Sequence, residues 1–442
     1  MEYISLPKPY VDVVAECQAH MGEQVTFSGT VHRVRSFPEF SFIVVRTDRA
    51  LVQCLFQGEE IGGIRREDVR DAMVVKVTGR VHEEVRAENG FEVELSAVEI
   101  LGKPYDKLPV PLGKKYMGLS LDVDLPLRPI TLRHPVKRAI FRVQSAIANG
   151  FSEYMISQGF VHMTSPKIVS AGAEGGADLF KVDYFGTRAY LAQSPQFYKQ
   201  YMCGIMGRVF EVGSVYRAER HNSSRHLNEY IGLDFEMAYI DSMFDVMAME
   251  TGMLKYVMEY VKKNCAPELE LLKANVPEIG ESIPSVTFHE AKQIMLEKFG
   301  HKSKNRFDLD PKEEKMMCEY AKEEFGSEFI FITFFPSEKR PFYAKDDEND
   351  PKLACSFDLL FRGLEITTGG QRVHDYQEQM DKLNRRGMDA SLFESFTIMH
   401  KYGMPPHGGL GLGLERLTMQ LLGLSNIREA SNFPRDMQRL EP

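Results

Sequence analysis

The stretch from Gly207 to Tyr239, GRVFEVGSVYRAERHNSSRHLNEYIGLDFEMAY, constrains this chain more than any other. It has the pattern of two long strands joined by a polar, basic loop. Residues two apart in a strand point to the same face. Arg217 and Glu219, at the end of the first strand, are therefore expected to project together, and Asp234 and Glu236 repeat the device on the return strand. Arg220, His221, Arg225 and His226 lie between them. Four charges aimed at one face under a basic loop suit a polyphosphate and a zwitterion. The plain alternative is a solvated hairpin with surface ion pairs, which are common on strands. The rest of the chain has to decide.

At 442 residues there is room for two or three domains. A 43% hydrophobic, 26% charged composition without low-complexity tracts is that of an ordinary globular protein. No run of about 18 apolar residues occurs, so no membrane span is expected. The start, MEYISLPKPY, lacks the apolar segment of a secretory signal. Cys17, Cys54, Cys203, Cys265, Cys318 and Cys355 are scattered with no CxxC. That argues against a zinc site and a disulfide framework and fits a reducing, cytoplasmic setting. The net charge of -9 does not advertise a nucleic-acid binder. Even the first 104 residues hold 12 Lys+Arg against 17 Asp+Glu. Nucleic-acid contact there would have to rest on local stacking and hydrogen bonds.

In chain order, residues 1–20 read as a lead-in and short helix. Five β-rich runs from Val25 to Leu101 suggest a small closed barrel, for which an OB-fold is the size-matched candidate. Phe42 and Gln53 would be exposed on it, with Arg46 nearby; core packing is the simpler reading of Phe42 taken alone. We assign 1–104 to this domain and 105–131 to a linker, because 102–131 holds five of the 22 prolines and little periodicity. From Leu132 a helix is expected, with Ile140, Val143, Ile147, Phe151 and Met155 at helical spacing and Gly159 as its stop. VHMTSPKIVS reads as extended but carries Pro166, which suits an edge or an interface rather than a central strand. AGAEGGAD is a glycine-rich loop with one acid, Glu174, and YLAQSPQFYKQYM passes from strand to helix with Gln196 and Lys199 on one face. Residues 241–340 are helix-rich with acidic runs and no evident chemistry; about 262–340 reads as an accessory insertion in a domain spanning 132–442. Near the end, PPHGGLGLGLERLTMQLLGL runs a glycine-dense strand into an apolar helix.

That glycine run is neither a phosphate loop, which needs GxxxxGK[ST], nor a dinucleotide fingerprint, which sits early in a chain. What remains is a strand that lets a ligand approach the backbone and delivers Arg416 at a helix start. A guanidinium there can grip a phosphate bidentately. Arg217 and Arg416 could serve phosphates. Glu365, with Asp358 as a further acid and the hydroxyl of Thr368 beside it, could hold Mg²⁺. Lys199, Arg372 and Asp234 suit a small anionic group, and Glu174 suits an amine. On residue type alone, Lys199 is an ordinary solvated helix lysine, Glu174 a loop acid and Arg372 an equally good structural partner; His374 and His400 read as structural.

FRVQSAIANGFSEYMISQGFVHMTSPKIV, VYRAE…RHLNEY…DFE and GLGLGLERL resemble motifs 1, 2 and 3 of class II aminoacyl-tRNA synthetases. AEGGADLF, AQSPQFYKQ, EITTGGQRVHD, GMPPHGG and FPRD between and after them are similar to aspartyl-tRNA synthetases of the archaeal/eukaryotic type. The similarity covers nearly the whole chain. It implies an α+β fold: an N-terminal OB-fold β-barrel for the anticodon, then a catalytic domain on an antiparallel sheet flanked by helices. It implies ATP-dependent ligation of L-aspartate to tRNA(Asp) in two steps through aspartyl-adenylate, mainly by positioning and charge neutralisation.

The resemblance also implies roles. Arg217, Arg416 and Glu365 would be catalytic, with Arg217 touching both the α-phosphate and the substrate carboxylate. Glu219, Arg225, His226, Leu227, Tyr230 (stacked on adenine), Gly413, Leu414, Glu415 and Arg416 would hold ATP. Glu365 and Thr368 would hold Mg²⁺, with Thr368 where the family commonly has serine. Lys199 and Arg372 would grip the aspartate side chain, oriented by Asp234, while Glu174, Gln193, Gln196 and Thr368 complete the aspartate pocket. Phe42, Gln53 and Glu92 match anticodon-reading positions. Pro166 would lie at a homodimer interface.

Two rivals stand beside this: an asparaginyl- or lysyl-tRNA synthetase, and a catalytically inactive synthetase-like RNA-binding dimer. Lys199 with Arg372 favours aspartate, because a neutral ligand would leave buried charge unmatched. The second rival would be supported by loss of Arg217, Arg416 or Glu365, and all three are present. On tRNA range, His32 resembles the relaxed enzymes that also charge tRNA(Asn), though some strict eukaryotic members share it, and Glu88 matches neither pattern. Relaxed specificity is the expectation.

Overall fold

The computed structural model describes residues 10–170 and 178–442. They fall into two compact units that divide after His134.

In the first unit, strands Gln24–Ser36, Phe40–Arg46, Leu51–Gln57, Val74–Glu83 and Phe91–Gly102 close into a five-stranded barrel. Alternation does this work. In Phe40–Arg46 and Leu51–Gln57 every second residue is buried, so Ile43, Val45, Val52, Cys54 and Phe56 fill the barrel while Phe42 and Gln53 stand outward. Gly79 is required by closure: a Cβ there would sit 2.3 Å from the Glu94 carbonyl of the neighbouring strand. The barrel is the OB-type module expected. The proline-rich stretch 105–131, expected as a linker, carries two short helices, Leu121–Asp124 and Arg128–Thr131. Arg128 is fully buried there, its Nε 3.7 Å from Asp124.

The second unit is built on an eight-stranded sheet in the order Ser285–Thr287, Phe329–Thr333, Ser356–Phe361, Leu364–Gln371, His407–Gly413, Glu229–Ala238, Arg208–Tyr216, Val161–His162. It is antiparallel throughout its centre, and only the two outermost pairings are parallel. Helices Pro135–Ser157, Met243–Asn264 and Leu414–Leu422 cover one face. Ile140, Val143, Ile147, Phe151, Val257 and Leu417 pack there on Phe235, Leu410 and Leu412. Burying such side chains contributes roughly 1.5–3 kcal/mol each. The polar face of the same strands is left for chemistry.

Four local expectations need correction. The long helix starts at Pro135, not Leu132, since proline is well placed at a first helical position. Pro166 lies between the two-residue strands Val161–His162 and Ile168–Val169 rather than inside a strand. The first hairpin strand ends at Tyr216, so Arg217 and Glu219 belong to the loop. The side chain of Asn228 donates to the carbonyls of both and shapes the turn. Finally, the stretch 262–340 supplies two strands of the main sheet, with Phe329 and Phe331 in the central core. Among the described residues, no helix is long and apolar enough to cross a membrane.

Candidate active site

On the polar face of the sheet lies a cavity of ≈ 770 Å³. Its floor is a buried charge quartet. Helix Gln196–Met206 buries Lys199, which is 2% exposed. Lys199 Nζ donates to Asp234 Oδ1 at 3.0 Å and to the Leu410 carbonyl at 2.8 Å, and sits 3.6 Å from Glu236 Oε2. Arg372 forks onto Glu236 at 2.8 and 3.3 Å and onto the Gly409 carbonyl at 2.8 Å.

The glycine run explains how two carboxylates fit inside a sheet. Asp234 lies opposite Gly411 and Glu236 opposite Gly409. A Cβ on Gly409 would stand 2.3 Å from Glu236 Oε2, and one on Gly411 3.0 Å from Asp234 Oδ1. The acids of the neighbouring strand take up the space at Gly409 and approach Gly411, while Gly411 and Gly413 still line the cavity where a ligand can reach the backbone. Burial pushes Asp234 above its ordinary range despite Lys199. Burial pushes Glu236 the same way, but Arg372 and Lys199 outweigh it and hold it low. Lys199 and Arg372 therefore face two acids whose proton affinities are shifted in opposite directions.

The other end of the cavity carries arginines and a further acid, Glu365. Thr368 Oγ1 donates to Glu365 Oε1 at 2.9 Å. Arg416, in the first turn of Leu414–Leu422, donates to the Glu365 carbonyl at 2.9 Å and lies 3.6 Å from its carboxylate. Burial would raise Glu365, but Arg416, Thr368 and Arg340 prevail and keep it ionised. Arg217 lies 3.7 Å from Glu219 and 5.8 Å from the Tyr230 ring. His226 bonds Ser223 through Nδ1 at 2.6 Å, and burial, then Arg416, lowers its affinity for a proton.

The match of residues 120–437 to the model of tRNA synthetases class II (D, K and N) decides the family. The chain belongs to it. The synthetase is 43% identical over 430 residues to the aspartate–tRNA(Asp/Asn) ligase of Thermus thermophilus, covering 97% of this chain and 99% of that one. It is 41% identical over 432 residues to the protein of the same name from Deinococcus radiodurans, covering 97% and 98%. Among solved structures it is similar to the asparaginyl-tRNA synthetase of Pyrococcus horikoshii complexed with asparaginyl-adenylate, with a TM-score of 0.88, 28% identity, and 96% and 97% of the two chains covered.

Most sequence-derived site residues of the synthetase line this one cavity: Gln193, Gln196, Lys199, Arg217, Glu219, Arg225, His226, Leu227, Tyr230, Asp234, Glu365, Thr368, Arg372, Gly413, Glu415 and Arg416. Among the described residues, Gln193 Oε1 and Gln196 Nε2 are buried with no hydrogen-bond partner, so each offers a hydrogen bond to a ligand. Glu415 receives the Ile231 amide at 3.0 Å, and burial pushes it up to about 7. Leu414 is a correction: its side chain joins the core beneath the sheet. Asp358 is another, because Arg340 holds it bidentately at 3.0 and 2.8 Å. Pro166 is exposed and away from the cavity lining. Glu174 lies outside the described residues.

The barrel of the synthetase has its own polar cluster. Phe42 is half-buried on the outer face, edge-on to Phe37 and Phe40 at 5.9 and 5.2 Å, with Arg35 5.0 Å above its ring. Arg35 donates to Gln53 at 2.7 Å, Gln53 to Glu92 at 3.0 Å, and His82 lies 3.3 Å from Glu92. Phe42, Gln53 and Glu92 thus stand together, and Arg35 is the arginine beside them; Arg46 bonds the Arg133 carbonyl instead. His32 is buried at a bulge between Val31 and Arg33, and Glu88 is exposed on the turn before Phe91.

Sequence reasoning missed three site residues. Glu236 was seen as a strand acid without its partners. Glu314 and Arg340 come from the stretch expected to carry no chemistry, and no local pattern marks them.

Proposed function

We propose that this synthetase is an aspartate–tRNA ligase. The observation that carries the reading is the buried pairing of Lys199 and Arg372 with Asp234 and Glu236 at the cavity floor. A site with two guanidinium- and ammonium-type donors already balanced by protein acids accepts a further carboxylate by sharing them. It gains nothing comparable from the amide of asparagine or the ammonium of lysine. The two relatives named above, both aspartate–tRNA(Asp/Asn) ligases, support the same choice over the more distant asparaginyl structure.

ATP is the co-substrate. Arg217 steadies the α-phosphate and the α-carboxylate of aspartate as that carboxylate attacks phosphorus, releasing pyrophosphate and leaving aspartyl-adenylate. Arg416, Arg225 and His226 hold the departing phosphates, and Tyr230 stacks on adenine. Gln193 and Gln196 bond the amino acid, and Glu174 takes its ammonium. The terminal hydroxyl of tRNA then attacks the activated carbonyl and AMP leaves. Glu365 and Thr368, one ionised carboxylate beside one hydroxyl, fit Mg²⁺, which would lower the cost of charge on the phosphates. Phe42, Gln53 and Glu92 read the anticodon. The active form is a cytoplasmic homodimer with Pro166 at the interface. The two relatives, both aspartate–tRNA(Asp/Asn) ligases, favour tRNA(Asn) as a second acceptor, with His32 and Glu88 as the positions that set this range.

Magnesium-dependent ATP–pyrophosphate exchange tests the first step: aspartate should support it and asparagine and lysine should not. Exchange with none of the three would sink the enzyme reading. Charging of purified tRNA(Asn) with labelled aspartate tests the range, and a strict requirement for tRNA(Asp) would refute it.

A further inference from the structure

Helix Pro311–Phe325 reaches the wall of the active site through one side chain, Glu314. Glu314 is 7% exposed. Its Oε2 accepts from the guanidinium of Arg225 and from the backbone N–H of Glu365 at 3.0 Å. Arg225 belongs to the loop between the hairpin strands, and Glu365 to strand Leu364–Gln371. Arg225 and Glu365 line the cavity; Glu314 stands behind them.

We propose that Glu314 is a positioning residue that locks the nucleotide loop to the strand carrying the metal-type acid. The proposal rests on the ATP reading above. An arginine on a loop samples many rotamers, and an anionic partner behind it removes that freedom before ATP arrives. One carboxylate oxygen engages only part of a guanidinium with five N–H donors, so the cavity side stays available for phosphate. The same oxygen fixes the peptide of Glu365, so the loop and the metal-type acid share one anchor.

The test uses the full chain and pyrophosphate exchange, with E314A, E314Q, R225A and R225A/E314A. E314A should raise KM for ATP roughly tenfold, the scale of a lost charged hydrogen bond, and leave KM for aspartate within about twofold. E314Q keeps an acceptor for the Glu365 N–H and should recover part of the loss. The double variant should be no worse than R225A, because Glu314 acts through Arg225. Equal rises in both KM values, additive losses in the double variant, or E314A behaving as wild type would overturn the proposal. Should E314A melt far below wild type, E314Q decides by the same ratios. Wild-type protein without aspartate-dependent exchange would instead defeat the aminoacylation reading, and calorimetric ATP affinities of the same variants would then carry the comparison.

Discussion

Replacing Lys199 by methionine strikes the charge quartet at its most buried member. Methionine keeps an unbranched stem, so the helix face still fills its space. The change removes an ammonium that is 2% exposed, bonded to Asp234 at 3.0 Å and to the Leu410 carbonyl at 2.8 Å. Breaking a buried ion pair costs about 3–5 kcal/mol when the partner stays charged. Burial already pushes Asp234 upward, which eases its protonation once Lys199 is gone and places the loss toward the lower end of that range. On the proposed reading, the ligand loses one of two cationic partners for its side chain. A charged hydrogen bond is worth about 1.5–3 kcal/mol, so kcat/KM for aspartate should fall roughly 10- to 150-fold. KM for ATP should stay within about twofold, because the proposed phosphate partners Arg217, Arg225 and Arg416 lie at the other end of the cavity. Pyrophosphate exchange with varied aspartate, beside a thermal melt, measures both effects. A folded variant with wild-type kcat/KM for aspartate, or with both KM values raised alike, refutes this account of the floor.

Glu250→Gln gives a pH test. Glu250 is fully buried on Met243–Asn264 near Thr367, and burial pushes it up to about 8. The folded state then keeps a proton that the unfolded chain releases above about 4.5, so stability falls as pH rises through that window. The variant has no such proton and should gain on wild type by about 3 kcal/mol between pH 5 and 8 in urea midpoints; parallel pH curves would count against it. Arg340→Met leaves Asp358 buried without its bidentate partner and should cost about 3–5 kcal/mol in denaturant melts. Phe42→Ala removes a stacking surface worth about 1–3 kcal/mol per base and should raise KM for tRNA, while exchange, which takes no tRNA, keeps its rate.

The two hairpin strands and the barrel were legible because period two is a local property. Asp234 and Glu236 share a face in any strand, and Ile43 and Val45 turn inward in any half-buried one. Helical spacing likewise placed Gln196 and Lys199 together. What could not be read was who stands across. Arg372 is 136 residues from Glu236, and Glu365 is 51 from Glu314. No window of local pattern spans such distances. The turn after Tyr216 escaped for a related reason: the Asn228 amide closes it onto Arg217 and Glu219, and this competes with strand continuation. Resemblance to a family supplied the order of the pieces but not the service of Glu314 or Arg340, since neither lies in a quoted motif.

On the proposed reading, the quartet makes selectivity a matter of balance rather than of positive charge. Two bare cations on the floor would carry a desolvation cost of several kcal/mol each. Asp234 and Glu236 remove that cost in the free protein, and Gly409 and Gly411 make room for them. The balance is uneven: Glu236 is held low by two cations, whereas Asp234 is raised by burial. On the proposed reading an arriving carboxylate shares Lys199 with Asp234 and Arg372 with Glu236. An amide ligand brings no charge to that sharing, so the free-state pairing persists and little is gained by binding. Selectivity for a carboxylate, on that reading, thus rests on two cations that two protein acids, two residues apart on one strand, already hold in place.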